Sequence, residues 1–374
     1  CGLAIGPATG VPALAPQTGR TPGAARAALE AAVRSALACS PCLVSFSGGR
    51  DSSMILALAT HVARREGLPL PVPVTYRFTG DAGSDETSWQ EQVVGHLGLL
   101  DWQRLHLTDE LDVVGPVAAE QATRLGLLWP VNAHFFRPAL ALARGGALLT
   151  GIGGDELLGA GTDTAVRAVL GGRRALRPAD LRRLAGALAP VPVRRTVLTH
   201  HSPLHQPWLT PSAARQVARE RAGWNAHRPW QWDRARCRWW WPGRDRQSAT
   251  VRQAALSVDT GARLVSPFLA PAVIAAVAGL FGSRGPASRT ESVRLLAGDL
   301  LPAAVVTRRG KASFDGAFVT ARARAYAATW DGSGLSPEVE ELIDTAALRA
   351  AWASPAPDPR ALLLLQATRF DPST

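Results

Sequence analysis

The chain has 374 residues, of which 47% are hydrophobic, and its 41 basic against 30 acidic residues give a net charge of +11. This length suits one large or two modest domains, and the hydrophobic share excludes a disordered chain. The apolar stretches are interrupted or too short to cross a bilayer, and the amino terminus lacks the charged region of a signal peptide. We therefore expect a soluble, cytoplasmic protein with no membrane partner.

The basic residues are unevenly distributed. Residues 167–246 contain 17 arginines against four acidic residues, a net charge of +13, which leaves −2 for the remainder. A solvated helical surface explains this block, and a face for RNA or for an acidic peptide is the alternative.

Lys311 is the single lysine of the chain. Because an ammonium has a tunable pKa and a guanidinium does not, Lys311 is a candidate for proton transfer or charge stabilisation, against the alternative of a chance surface lysine.

Four cysteines are too few for a disulfide scaffold. Cys39 and Cys42 have the CxxC spacing of redox and metal sites, but no second pair completes a zinc site. We interpret them as small packing residues before a strand, with redox or metal chemistry as the alternative.

The first elements alternate between strand and helix. Residues 1–22 predict an irregular arm and 23–38 a helix; "CLVSFSGG" then predicts a buried strand, and 52–65 a helix that ends near Gly67. Next come a strand at "VTYRF", a helix at 84–99 with Ser88 and Glu91 at capping-box spacing, a strand at "WQRLHL", and helical sequence over about 110–145.

The stretch "ALLTGIGGDELLGA" predicts another apolar strand that runs into a glycine turn, and the sequence beyond residue 165 is mainly helical in spacing. This alternation predicts an α/β fold with a doubly wound parallel sheet, followed by a mainly helical carboxyl-terminal half. We divide the chain into an arm and helix (1–38), a nucleotide-binding core (39–165) and a helical part with Lys311 (166–374).

Two glycine turns, 47–52 and 150–156, follow predicted strands. Ligands of parallel sheets collect at the carboxyl ends of strands, where helix amino termini favour anions. The first turn lacks the GxxxxGK[ST] pattern, which excludes an ordinary P-loop. Each turn nevertheless ends in a carboxylate, Asp51 and Asp155, and two acids beside a phosphate suit Mg²⁺.

The motifs "SGGRDSS", "TGIGGDELLG" and "TRRGKASFDGAF" resemble, in this order, those of the asparagine synthetase family within the ATP pyrophosphatases. The resemblance covers about residues 42–320. It extends to β-lactam synthetases and lasso-peptide cyclases, and it implies a fold of the ATP pyrophosphatase type. It also implies a reaction: ATP and a carboxylate give an acyl-adenylate and pyrophosphate, and an amine then gives an amide and AMP.

The resemblance also implies the site residues. The pyrophosphate end of ATP would be held by Ser47, Gly48, Gly49, Asp51, Ser52, Ser53, Gly151 and Gly153. Asp51 and Asp155 would hold Mg²⁺, and Lys311 would stabilise the transition states. By position, 43–46 and 74–78 would contact adenine. Glu156 is a candidate for proton transfer, unless it only starts its helix.

Two departures narrow the expected substrate. Ile152 occupies the position where asparagine synthetases carry an acid and β-lactam-forming relatives a tyrosine. The forty residues before the first turn are also too few for the glutaminase domain that Cys1 suggests. We therefore expect a lasso-peptide (macrolactam) cyclase, which takes its amine from a peptide substrate and could work with a precursor peptide or a leader-binding partner. The alternatives are an ammonia-dependent asparagine synthetase on a small acid and a tRNA-modifying ATP pyrophosphatase, although nucleic acid is the less favoured partner.

Overall fold

The computed structural model of the chain describes residues 6–17, 21–79, 83, 85–161, 164–170, 172, 175–201, 206–308, 310 and 315–370. Within these residues one parallel sheet is built from β1 (Cys42–Ser45), β2 (Val72–Phe78), β3 (Gln103–Leu107), β4 (Ala147–Leu149) and β5 (Arg263–Val265). The strand order is β3-β2-β1-β4-β5. In β1, Leu43 pairs with Val72 on one side and with Leu148 on the other.

Helices cover the sheet and form the carboxyl-terminal half. They are α1 (Pro22–Leu37), α2 (Arg50–Glu66), α3 (Thr87–Leu97), α4 (Pro116–Leu125), α5 (Arg137–Leu142), α6 (Gly154–Leu158), α7 (Thr164–Leu170), α8 (Pro178–Leu188), α9 (Val191–His201), α10 (Pro211–Ala226), α11 (Trp232–Arg234), α12 (Arg244–Thr260), α13 (Pro271–Phe281), α14 (Arg289–Ala297), α15 (Ala303–Thr307), α16 (Asp315–Phe318), α17 (Ala321–Thr329), α18 (Pro337–Glu340), α19 (Thr345–Ala353) and α20 (Pro359–Phe370). A π-helical turn, Ala235–Trp240, follows α11. The predicted α/β class and the helical second half are confirmed.

The amphipathic helices around β1 form readily from their sequences. In α1, Pro22 takes a first-turn position and the Thr21 hydroxyl accepts a hydrogen bond from the Ala24 N–H at 3.3 Å. The helix buries Leu29 and Val33 in the main core, against α2 and α13. Helix α2 ends at Gly67, whose φ of +65° closes the helix in the left-handed conformation.

Two predictions of local structure are wrong, and one strand was missed. Helix α3 begins at Thr87, whose N–H donates to the Asp85 carboxylate at 2.9 Å. Ser88 therefore lies inside the helix, and Ser88 and Glu91 do not form a capping box. The predicted helical region 110–145 is interrupted between α4 and α5, because the chain leaves the helix at Gly126 before Pro130. Strand β5 was not predicted, and it adds an edge to the sheet beside β4.

The arm at the start of the chain is irregular, as predicted, over its described residues 6–17. It is held by backbone hydrogen bonds, such as Leu14 N–H to Cys237 O at 3.0 Å and Gln17 N–H to Ala275 O at 2.9 Å. The division of the chain at residues 38 and 165 stays a prediction. Among the described helices, none is long and apolar enough to cross a membrane.

Candidate functional site

The candidate site lies where the order of the strands reverses. Strands β1 and β4 are neighbours; β2 and β3 continue the sheet on one side of them, and β5 on the other. In a doubly wound sheet, such a switch point opens a crevice at the carboxyl ends of the two central strands. Both predicted glycine turns lie there, because one follows β1 and the other follows β4.

The first turn connects β1 to α2 and is shaped by glycine. Gly48 has a φ of +85°, and a Cβ on it would lie 2.8 Å from the Gln90 side chain of α3. The same side chain donates a hydrogen bond from Nε2 to the Ser47 carbonyl at 3.0 Å. The turn therefore packs tightly against α3, and a larger residue at position 48 would push the two apart.

The predicted serines of this turn close it internally. The Ser52 hydroxyl donates to the Gly49 carbonyl at 3.0 Å and accepts from the Ser47 N–H at 3.2 Å. The Gly49 N–H donates a hydrogen bond to Ser47 Oγ at 3.3 Å. Ser53 is fully buried and reaches the Gly48 carbonyl at 3.5 Å. These contacts hold the loop in shape, which is what preorganised anion binding requires.

The second turn approaches the first so closely that only glycine fits. A Cβ on Gly151 would lie 2.8 Å from the Ser52 nitrogen, and one on Gly154 would overlap the Asp51 carboxyl group. Gly153 has a φ of +90°, and a Cβ there would overlap the Leu269 side chain. The structure thus brings the two predicted loops together, with Asp51 at their junction.

One arginine joins the two predicted metal ligands. Arg289, the first residue of α14, donates from Nη2 to Asp51 Oδ2 and from Nη1 to Asp155 Oδ1. The Asp51 side chain is 13% exposed and that of Asp155 48%. Burial opposes the charge on Arg289, but the two carboxylates outweigh it, so the pKa of Arg289 is raised. A positive charge is thus stable between Asp51 and Asp155.

These two carboxylates fit a magnesium ion that is shared with a nucleotide. Groups of three or more His, Cys, Asp or Glu side chains able to hold a metal are absent from the described residues. Mg²⁺ in nucleotide sites commonly takes only one or two carboxylates and completes its shell with phosphate oxygens and water. Asp51 and Asp155 supply that number of ligands, and they converge on one cation.

Two further arginines surround the first turn. Arg308 makes a buried bidentate ion pair with Glu86, donates to the Gly48 carbonyl at 3.1 Å, and lies 4.6 Å from the ring centre of Trp89. Arg50, in the first turn of α2, donates to the Thr290 hydroxyl at 3.2 Å. Burial, together with the charges of Arg289 and Arg308, lowers the pKa of Arg50. Arg289 and Arg308 are paired with carboxylates, whereas Arg50 contacts a neutral hydroxyl, so the charge of Arg50 suits an incoming polyanion.

The other predicted site residues have different outcomes. Lys311 lies outside the described residues, and its role remains a prediction. Glu156 follows Asp155 in α6 and is exposed. Ile152 packs with the apolar cluster around β2 and β4.

Burial raises the pKa of the Cys42 thiol to about 12, and Cys39 Sγ accepts from Arg263 at 3.2 Å, which favours packing over redox chemistry.

Sequence reasoning missed Arg289, Arg308 and Glu86. Arg289 is one of forty arginines, and no local pattern separates it from the others, whereas Arg308 stands inside the motif "TRRGKASFDGAF". Their partners are more than 130 residues away in the chain, so only the fold reveals the pairing. The one available signal is for Arg308, which stands three residues before Lys311 in that motif.

Comparison with known proteins adds one positive finding. The sequence profile of the family described as asparagine synthase matches residues 24–368. A search of the curated proteins finds no match.

Proposed function

We propose that this chain, which belongs to the asparagine synthase family and is therefore an ATP-dependent carbon–nitrogen ligase, activates an acidic side chain of a peptide and joins it to an amine of the same peptide. This is the macrolactam-forming reaction of a lasso-peptide cyclase. The observation that carries the proposal is the pair of carboxylates, Asp51 and Asp155, which share one cation at the junction of two glycine turns.

In the first half-reaction, an oxygen of the substrate carboxylate attacks the α-phosphorus of ATP, and the bond to pyrophosphate breaks. Mg²⁺ held by Asp51 and Asp155 would neutralise charge on the leaving pyrophosphate. The amino end of α2 and the guanidinium of Arg50 face the same developing charge, since both adjoin the first turn. The close packing of this loop against Gln90 and Gly151 holds its backbone in place for the phosphates.

In the second half-reaction, the amine attacks the acyl carbon, the amide bond forms and AMP leaves. The amine gives up a proton, for which the exposed carboxylate of Glu156 is the nearest candidate beside Asp155. Lys311 would balance charge on the transition state, as the resemblance of "TRRGKASF" implies. Both roles belong to the proposal.

Two features support a peptide rather than aspartate as the substrate. Ile152 is apolar and packs with the β2–β4 cluster, at the position where asparagine synthetases carry an acid. The arginine-rich segment also displays aromatic rings: Trp224 and Trp239 stack at 5.6 Å, and the Arg228 guanidinium lies 5.1 Å from the Trp239 ring centre. Such surfaces suit acidic or aromatic peptide segments.

A pyrophosphate-release assay with ATP and Mg²⁺ tests the proposal. One arm contains peptides with a free amino terminus and an Asp or Glu side chain, a second contains aspartate with ammonia, and a third contains tRNA. We expect release in the peptide arm, with a product lighter by one water. Release only in the arm with aspartate and ammonia would indicate asparagine synthesis, and release only in the tRNA arm would indicate an RNA-modifying enzyme. No release in any arm would refute the ligase chemistry.

The Lys311→Arg variant tests the assigned lysine. It keeps the positive charge but replaces a compact ammonium by a wide guanidinium. We expect amide formation to be lost while the melting temperature stays within a few degrees of the wild-type value. Full activity in the folded variant would remove Lys311 from the mechanism.

A further inference from the structure

Two arginines of α12, Arg246 and Arg252, are buried. Only 5% of Arg246 and 4% of Arg252 is exposed. Nε and Nη1 of Arg246 and Nε of Arg252 are buried without a hydrogen-bond partner. Neither guanidinium takes part in an ion pair between described residues. Buried arginines are normally paired with an acid, so this arrangement requires an explanation.

The surroundings of Arg246 satisfy it only in part. Its Nη2 donates to the Thr250 hydroxyl at 3.2 Å and to the Leu269 carbonyl at 3.4 Å. The rings of Trp240 and Trp241 lie with their centres 5.7 Å and 5.6 Å from the guanidinium carbon. Indole faces stabilise a cation but accept no full set of N–H bonds, so the fork of Arg246 retains donors for a ligand.

The two charges are unfavourable to each other. Burial lowers the pKa of Arg246 and of Arg252 to about 10, so both remain protonated at neutral pH. The charge of Arg252 adds to the fall for Arg246, and the carboxylates of Glu156 and Asp245 offset it from a distance. Buried like charges without a contacting acid cost stability, and a fold keeps such groups where a ligand supplies the counter-charge.

Arg246 adjoins the candidate site through two connections. Leu269, whose carbonyl accepts from Arg246, places its side chain against Gly153 of the second turn. Glu156, whose charge acts on Arg246, follows the metal-ligand candidate Asp155 directly. Arg246 therefore lies beside the turn that carries Asp155, whereas Arg50 and Arg308 adjoin the first turn.

We propose that Arg246 binds a carboxylate of the acyl substrate. The identity of this ligand rests on the proposed function, since a carboxylate is the anionic group that amide synthesis requires besides the phosphates. The planar fork of a guanidinium matches a carboxylate in two parallel hydrogen bonds. Because Nε and Nη1 are covered, the half-buried Trp240 over the guanidinium has to shift when the ligand enters.

Tryptophan fluorescence gives a direct test, since two indoles lie within 6 Å of the guanidinium. The probe is N-acetyl-aspartic acid α-amide, with N-acetyl-asparagine amide as its neutral counterpart and N-acetylglycine as the source of a terminal carboxylate. We expect a saturable change with the aspartate probe and none with the asparagine probe. Arg246→Gln should weaken the binding of the aspartate probe at least tenfold, and Arg349→Gln, which removes an arginine from the Trp330 face, should not.

Equal affinity of Arg246→Gln and the wild type for the aspartate probe would overturn the proposal, as would the lack of a saturable fluorescence change in the wild type. Saturation by N-acetylglycine alone would assign the site to a terminal rather than a side-chain carboxylate. Removal of an uncompensated charge should leave the melting temperature unchanged or raise it. A lower melting temperature with unchanged probe affinity would show a structural role and would also overturn the proposal. The titration uses no ATP, so a missing pyrophosphate release would refute the proposed function without deciding this site.

Discussion

The contact of Arg289 with both Asp51 and Asp155 makes a quantitative prediction about metal binding. A metal ion that uses these carboxylates has to displace the guanidinium, so the protein without ATP should bind divalent cations weakly. Charge-assisted hydrogen bonds contribute about 1.5–3 kcal/mol each. Because Asp155 is half exposed, we take the lower value for both bonds, about 3 kcal/mol in total, which corresponds to about 100-fold in affinity.

Arg289→Gln removes that competition. We expect the variant to bind Mn²⁺ without ATP about 100-fold more tightly than the wild type, measured by electron paramagnetic resonance of free Mn²⁺. Arg284→Gln, an exposed arginine five residues earlier, is the matched control and should behave as wild type. Equal or weaker Mn²⁺ binding by Arg289→Gln would show that Arg289 does not compete with a metal ion for Asp51 and Asp155.

Three other perturbations follow from the same structure. Gly154→Ala should displace the Asp51 carboxylate and lower ATP-dependent pyrophosphate release at least 100-fold, whereas Gly95→Ala, where a Cβ has open space, should keep full activity. Burial opposes the ionisation of Asp259, but hydrogen bonds from Arg137 and Arg124 outweigh it and lower its pKa. Asp259→Asn should therefore lower the free energy of unfolding by about 2–4 kcal/mol at pH 7. This difference should shrink below about pH 4, as the wild-type carboxylate is protonated; equal denaturation curves at pH 7 would contradict it. Burial raises the pKa of Cys42 to about 12, so maleimide at pH 8 should leave Cys42 unlabelled until the protein is denatured, and rapid labelling would show an exposed thiolate.

The sequence was most informative where local chemistry determines the backbone. Helix α2 and its end at Gly67 follow from apolar periodicity and from the left-handed conformation that glycine adopts without strain. The two glycine turns were predicted because both follow apolar strands, and their joining at the sheet's switch point follows from the parallel topology. The close approach of Gly151 and Gly154 to the first turn explains why both positions lack a side chain.

Two of the misses have long-range causes, and the one at α3 has a local cause. Strand β5 has three residues, too few for a period of two to be recognised, and its assignment depends on β4 beside it. The start of α3 was misplaced because the Asp85 carboxylate accepts from the Thr87 N–H, so the helix begins before Ser88. The pairing of Arg308 with Glu86 joins residues 222 positions apart, and no periodicity encodes such a contact.

The central claim is that the chain transfers the adenylyl group of ATP to a carboxylate. It is tested most directly by labelling the acid that supports pyrophosphate release with ¹⁸O in its carboxyl group and by measuring the mass of the products. One ¹⁸O should appear in AMP, because the attacking carboxylate oxygen stays on the phosphorus when the amide forms. Unlabelled AMP, or ¹⁸O in inorganic phosphate, would contradict it.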